Sequence, residues 1–193
     1  MKKISKKLTN FIIKFGSASE KASDIYEYGF QVGLETLSCF LFCFIIAAYM
    51  NFILEFIVFY TIFICLRSYA GGIHMNTFLR CFTFSVIVQT IVLLSNKFYC
   101  FPLNISWIII TVGSALIILI APVGNINREL DAEEKSKFRK VTLKLVVIII
   151  MITWICNVIN LVQYVSLIAM TILTVLFSQY CGLIKYKIET LLV

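Results

Sequence analysis

One imidazole and one thiol stand seven positions apart in the stretch Arg67-Ser-Tyr-Ala-Gly-Gly-Ile-His74-Met-Asn-Thr-Phe-Leu-Arg-Cys81. A thiol beside an imidazole suits nucleophilic acyl transfer. The base takes the thiol proton, the thiolate attacks a carbonyl, and the imidazolium later protonates the departing amine. The same stretch holds the adjacent glycines Gly71 and Gly72 and two arginines, Arg67 and Arg80. Asn76 or Thr77 suits the N-cap of a following helix. Capped at Thr77, that helix begins at Phe78 and Cys81 falls at the end of its first turn. There the helix N-terminus and Arg80 both favour a thiolate.

Spacing decides how His74 could serve Cys81. On one continuous helix the two side chains would share a face, about 20° apart. Their Cα atoms would then stand about 10 Å apart along the axis, too far for a reliable hydrogen bond. The cap and the Gly71-Gly72 pair instead favour a loop that folds His74 back over the helix start. Taken alone, a lone His and Cys at a membrane boundary are more often an interfacial polar residue and a packed thiol. The glycines alone could make a turn, and Arg67 alone could anchor topology.

Other chemistry is excluded by counting. His74 is the only histidine, so a zinc site built on two histidines at helical spacing is impossible. The seven cysteines form no CxxC pair, and their odd number and irregular spacing describe no disulfide framework. Cys39 and Cys43 lack the surrounding ligands that would specify a metal, and packing is their expected role. No cofactor and no metal are expected.

The elements that position this stretch are membrane spans. Of 193 residues, 61% are hydrophobic and 14% charged, against about 45–50% and about 25% in soluble domains. No Asp, Glu, Lys or Arg occurs for 30 residues after Lys97 or for 40 residues after Lys144. A helix rises about 1.5 Å per residue and must cover about 30 Å of hydrocarbon, so the longer gap holds two crossings. The chain reads as a single all-α polytopic membrane domain over residues 1–193, with the lipid bilayer as its surroundings. Despite the charge of +7, no nucleic-acid partner is expected. Spans are expected at 30–49, 51–66, 78–96, 104–122, 143–162 and 164–182, with Asn160 and Gln163 marking the last turn.

Residues 1–28 form a basic amino-terminal segment. Ile4, Leu8, Phe11, Ile12 and Phe15 recur at helical spacing among Lys2, Lys3, Lys6 and Lys7, the pattern of an interfacial amphipathic helix. A basic tail that only fixes topology is the alternative. Of the 17 Lys and Arg residues, only Lys97 falls on one side of the six expected spans. The positive-inside rule therefore places both termini, the 67–81 loop and the 123–142 basic loop on the cytoplasmic side of the cell membrane.

The stretch RSYAGGIHMNTFLRC resembles the signature of the accessory gene regulator B family, membrane cysteine endopeptidases of Gram-positive quorum sensing. In that family an Arg near a span end precedes a Gly-x-His, and a Cys follows the His after six residues. Arg67, Gly72, His74 and Cys81 occupy those positions. The basic amino-terminal helix and Ala121-Pro122 before a polar loop are also similar. The resemblance implies that the chain cleaves a short precursor peptide with an acidic carboxy-terminal tail (AgrD-like). It also implies help in closing a thiolactone or lactone ring. Cys81 would then be the nucleophile and His74 the base. Arg67, Gly71 and Gly72 would hold the loop, Arg67 would also attract the acidic tail, and Glu35 and Asn76 would support the site. The family likeness also suggests a homodimer.

Intramembrane carboxylates are functional suspects by default. Glu35 could orient His74, although it and Glu55 are expected rather to pair with arginines. The charged segment Arg128 to Lys144 reads first as a solvated helix laced with ion pairs, and alternatively as a dock for an acidic peptide or anionic lipid. Two other functions fit the composition. A small six-span peptide exporter could use Glu35, Glu55, Gln89 and Gln163 along a path, and a non-catalytic partner of a sensor kinase would cleave nothing.

Overall fold

The computed structural model describes residues 2–15, 23–73, 75, 77–124 and 131–191. His74, Asn76 and residues 125–130 of the polar loop lie outside the described residues. Among the described residues seven helices run in order: α1 (Lys2–Lys14), α2 (Ser23–Tyr49), α3 (Ile53–Ala70), α4 (Phe78–Phe98), α5 (Leu103–Ile120), α6 (Ala132–Val158) and α7 (Val162–Leu191). Six of them, α2 to α7, are long and apolar enough to cross a membrane. Even the shorter spans, at 18 residues, reach about 27 Å at the helical rise. This is the expected all-α, six-span architecture.

The chain divides into two compact units, residues 1–49 and 50–193. In the first, α1 turns its short polar residues inward. Ser5 and Thr9 are buried, and Ser5 Oγ donates to Glu27 O of α2. Ile4, Leu8, Phe11 and Phe15 remain exposed. An apolar stripe facing outward beside lysines is the form of a helix that rests in a lipid interface.

The second unit is organised around α7, which packs against α3, α4, α5 and α6. More than half of its apolar window is buried (56%), against 28% or less for the other spans. In lipid, apolar surface alone does not drive helices together, so close packing at small residues must do so. A Cβ added at Gly113 of α5 would stand 2.7 Å from Ile172 Cγ2, so these helices touch nearly backbone to side chain. Val165, Ile168, Ala169, Ile172 and Val175 form the middle of the core with Ile110 and Ile117. The buried hydroxyls of Thr142, Thr153 and Thr171 donate to their own helices four residues back, which satisfies them within the span.

Several helices outrun the spans that hydropathy marks. α6 begins at Ala132, so the charged segment is helix from there rather than loop, in line with the solvated-helix reading. α7 continues past Gly182, with Lys185 Nζ 3.6 Å from Glu189 Oε1. Glu, Lys and Arg are good helix formers, and only the apolar window must lie in lipid. The turn between α6 and α7 falls at Asn160, whose φ of 60° is left-handed, while Leu161 N donates 2.8 Å to Cys156 O. That is the 6→1 closure of a Schellman cap.

Candidate active site

The site begins where α3 stops. Its C-cap, Gly71, has φ 80° and ψ −175°, a region open in practice to glycine alone, and Gly71 N donates to Arg67 O at 3.1 Å. The helix leaves Ala70 O without a partner of its own. Two donors reach it: Val123 N at 3.0 Å, from the segment after Pro122, and Gln179 Nε2 at 3.0 Å, from α7. The crossing is tight, for a Cβ on Gly71 would stand 2.6 Å from Val123 O.

The chain then crosses α7. Ile73 N donates 2.9 Å to Ser178 O. Arg67 reaches over the same point: Nη1 donates 2.6 Å to Ser178 Oγ, and Nη2 donates to Ile73 O. The guanidinium lies 5.9 Å from the centre of the Phe63 ring, an aromatic face that suits a cation. A Cβ on Gly72 would meet Ser178 Oγ at 2.6 Å and Arg67 Nη1 at 3.0 Å. On the facing side, a Cβ on Gly182 would stand 2.8 Å from Gly72 C and 3.0 Å from Ile73 N. Backbone therefore passes directly over backbone at Gly71 and Gly182, whereas Gly72 faces the side-chain ends of Ser178 and Arg67.

α4 opens at Phe78 as the sequence predicts. Thr77 is the extended N-cap residue, but its hydroxyl makes no capping bond. Cys81 N donates to Thr77 O at 3.2 Å and closes the first turn. The thiol of Cys81 is half-buried and unbridged. It stands within electrostatic reach of the Arg67 guanidinium. The structure thus brings together Arg67, Gly71, Gly72 and the helix start that carries Cys81. Placement of His74 and Asn76 falls outside the described residues.

The remaining suspects have local partners. Glu35 Oε1 accepts from Gln31 Nε2 at 3.0 Å, one turn earlier on α2. Glu55, at the opposite end of α3 from Arg67, accepts from Gln163 Nε2 at 3.1 Å rather than from an arginine. On α6, Glu133, Ser136, Lys137, Lys140, Val141 and Lys144 line a shallow groove of about 460 Å³. Among the described residues, no group of three or more His, Cys, Asp or Glu side chains could hold a metal ion.

Ser178, Gln179, Gly182 and Val123 are absent from the sequence reading of the site. Their one local trace is the Ser178-x-x-x-Gly182 spacing, a small-residue pair of the kind that lets elements approach closely in a membrane.

Comparison with known proteins follows the same outline. The model of the accessory gene regulator B family matches residues 5–179, which takes in the 67–81 segment together with Ser178 and Gln179. The chain is similar to a putative AgrB-like protein of Clostridium perfringens strain SM101, 28% identical over 65% of this chain and 62% of that protein. It is also similar to putative AgrB-like protein 2 of Clostridium perfringens strain 13, 24% identical over 75% of this chain and 72% of that protein. No solved structure matches.

Proposed function

The chain belongs to the accessory gene regulator B family, and from that premise we propose that it is a membrane cysteine endopeptidase that processes a quorum-sensing propeptide. Membership supports a role in peptide processing, and the residues supply the finer reading. Cys81 is the nucleophile and His74 its base. The thiolate adds to the carbonyl at the precursor's carboxy-terminal cleavage point. The C–N bond breaks, the amine leaves with a proton from His74, and the body of the precursor remains on Cys81 as a thioester. Attack by a cysteine of the same peptide exchanges one thioester for another of similar energy and releases a thiolactone, while a serine would give a lactone. Water must be excluded while the acyl-enzyme waits, and a site beside apolar α4 serves that need.

The observation that carries this reading is the clamp on Arg67. The guanidinium binds the chain at Ile73, one residue before His74. One cation thereby ties the end of α3 to the loop that leads to the proposed base. Both of its NH2 groups are engaged inside the protein, which favours loop-holding over capture of an acidic tail. The charge distribution supports a site near the cytoplasmic face, where an unexported precursor would be available. The groove beside Lys137, Lys140 and Lys144 is the better candidate to receive an acidic tail.

Co-expression with the precursor tests the reading. Cys81→Ala is expected to insert normally and to leave the precursor uncut. Persistent cleavage would remove Cys81 from the mechanism, and release of peptide without cleavage would favour an exporter.

A further inference from the structure

We propose that the cytoplasmic part of the last span is the positioning platform of the reaction, with Ser178, Gln179 and Gly182 as positioning residues that set the loop ahead of His74 and fix the Arg67 guanidinium. The inference rests on the Cys81–His74 reading above.

Three separate contacts converge on two adjacent α7 residues. Ser178 presents its carbonyl to Ile73 N at 2.9 Å and its hydroxyl to Arg67 Nη1 at 2.6 Å, so one residue holds both the loop and the cation. Gln179 is fully buried and spends Nε2 on Ala70 O at 3.0 Å, fixing the exact end of α3 from which the loop departs. Gly182, one turn on, is the only residue type that leaves the loop this place. Its missing Cβ would collide with Gly72 C and Ile73 N at 2.8 and 3.0 Å, main-chain atoms that cannot rotate aside. The other amide atom of Gln179, Oε1, is buried with no partner. A buried acceptor left open is uncommon and calls for a functional explanation. It belongs to the same side chain that holds the end of α3.

Core α7 residues such as Ile168 and Ile172 pack apolar side chains, whereas these three act through polar atoms and a vacant Cβ on one short loop. Displacing a catalytic group by about 1 Å costs about a hundredfold in rate, so a residue that sets the loop without touching substrate should govern turnover rather than binding.

Gly182→Ala separates the two roles. Alanine is a better helix former than glycine, so α7 itself is not weakened, yet the added methyl must push the loop away. Full-length Gly182→Ala, Ser178→Ala and Gln179→Glu proteins in membrane vesicles, with synthetic precursor peptide and Cys81→Ala as reference, give the answer. Each is expected to reach wild-type levels in the membrane, to lose at least tenfold in kcat, and to keep KM within about twofold. Should Gly182→Ala fail to accumulate, Ser178→Ala, which only removes an oxygen atom, decides on the same criterion. Wild-type kcat in these variants, with Cys81→Ala inactive, overturns the platform and leaves the endopeptidase reading standing. Cleavage by Cys81→Ala overturns the reading itself.

Discussion

The Arg67 guanidinium donates 2.6 Å to the hydroxyl of Ser178, a residue 111 positions further along the chain. This bond joins the end of the second span to the last one, directly beneath the loop that leads to His74. It makes Arg67 a strut of the site, and a Cβ at position 72 would press on both of its partners.

Arg67→Lys should keep the charge and lose the geometry. Lysine presents one compact ammonium on a flexible stem and cannot direct two separate groups at Ser178 Oγ and Ile73 O. Precursor cleavage is expected to fall at least tenfold while the protein still inserts, as read by immunoblot of membranes and mass spectrometry of the peptide. Full activity in the lysine variant would show that charge alone suffices.

Gly71→Ala should destabilise the second unit. The residue sits at φ 80° against Val123 O, and forcing a side chain into such a region costs about 1–3 kcal/mol. A lower unfolding temperature in detergent, together with weaker cleavage, is the expected result. An unchanged transition would mean that the α3 end tolerates a different path.

Gly113→Ala probes the core away from the site. Its methyl would press on buried Ile172 at 2.7 Å, and overpacking of this kind costs about 1–3 kcal/mol. The transition should fall in temperature, while kcat measured well below it stays close to wild type. A drop in kcat at low temperature would instead tie the α5–α7 seam to the reaction.

The lysine groove on α6 should act through charge. Replacing Lys137, Lys140 and Lys144 with glutamine is expected to raise KM for an acid-tailed precursor and to flatten the salt dependence of cleavage. Exposed charges are screened beyond about 10 Å at 0.1 M salt. A salt dependence equal to that of the wild type would return this face to the role of a solvated helix.

Orientation can be read through Cys100, which is exposed in the α4–α5 turn. An impermeant maleimide added to intact cells should label Cys100 and spare Cys81, which labels only after the membrane is opened. Labelling of Cys81 from outside would reverse the topology and move the site to the wrong face for an unexported precursor.

What the sequence determined by itself follows from rules that act locally along the chain. Charge-free runs long enough for a bilayer gave the class and the six crossings. The same rules place Phe78 as the start of α4, and the 67–81 signature points to Arg67, Gly72, His74 and Cys81 as candidates. Hydropathy misplaced the ends of α6 and α7, because a helix continues through charged residues where the bilayer stops.

Tertiary structure alone decided what holds the loop. Ser178, Gln179 and Gly182 look like ordinary small or polar residues of an apolar span. Their function arises only when α7 lies across the end of α3 and the backbones approach to contact. Hydrogen bonds across 111 and 109 positions leave no periodicity in a sequence. They exist because a buried α3 carbonyl and a half-buried guanidinium must find partners wherever the packed helices provide them.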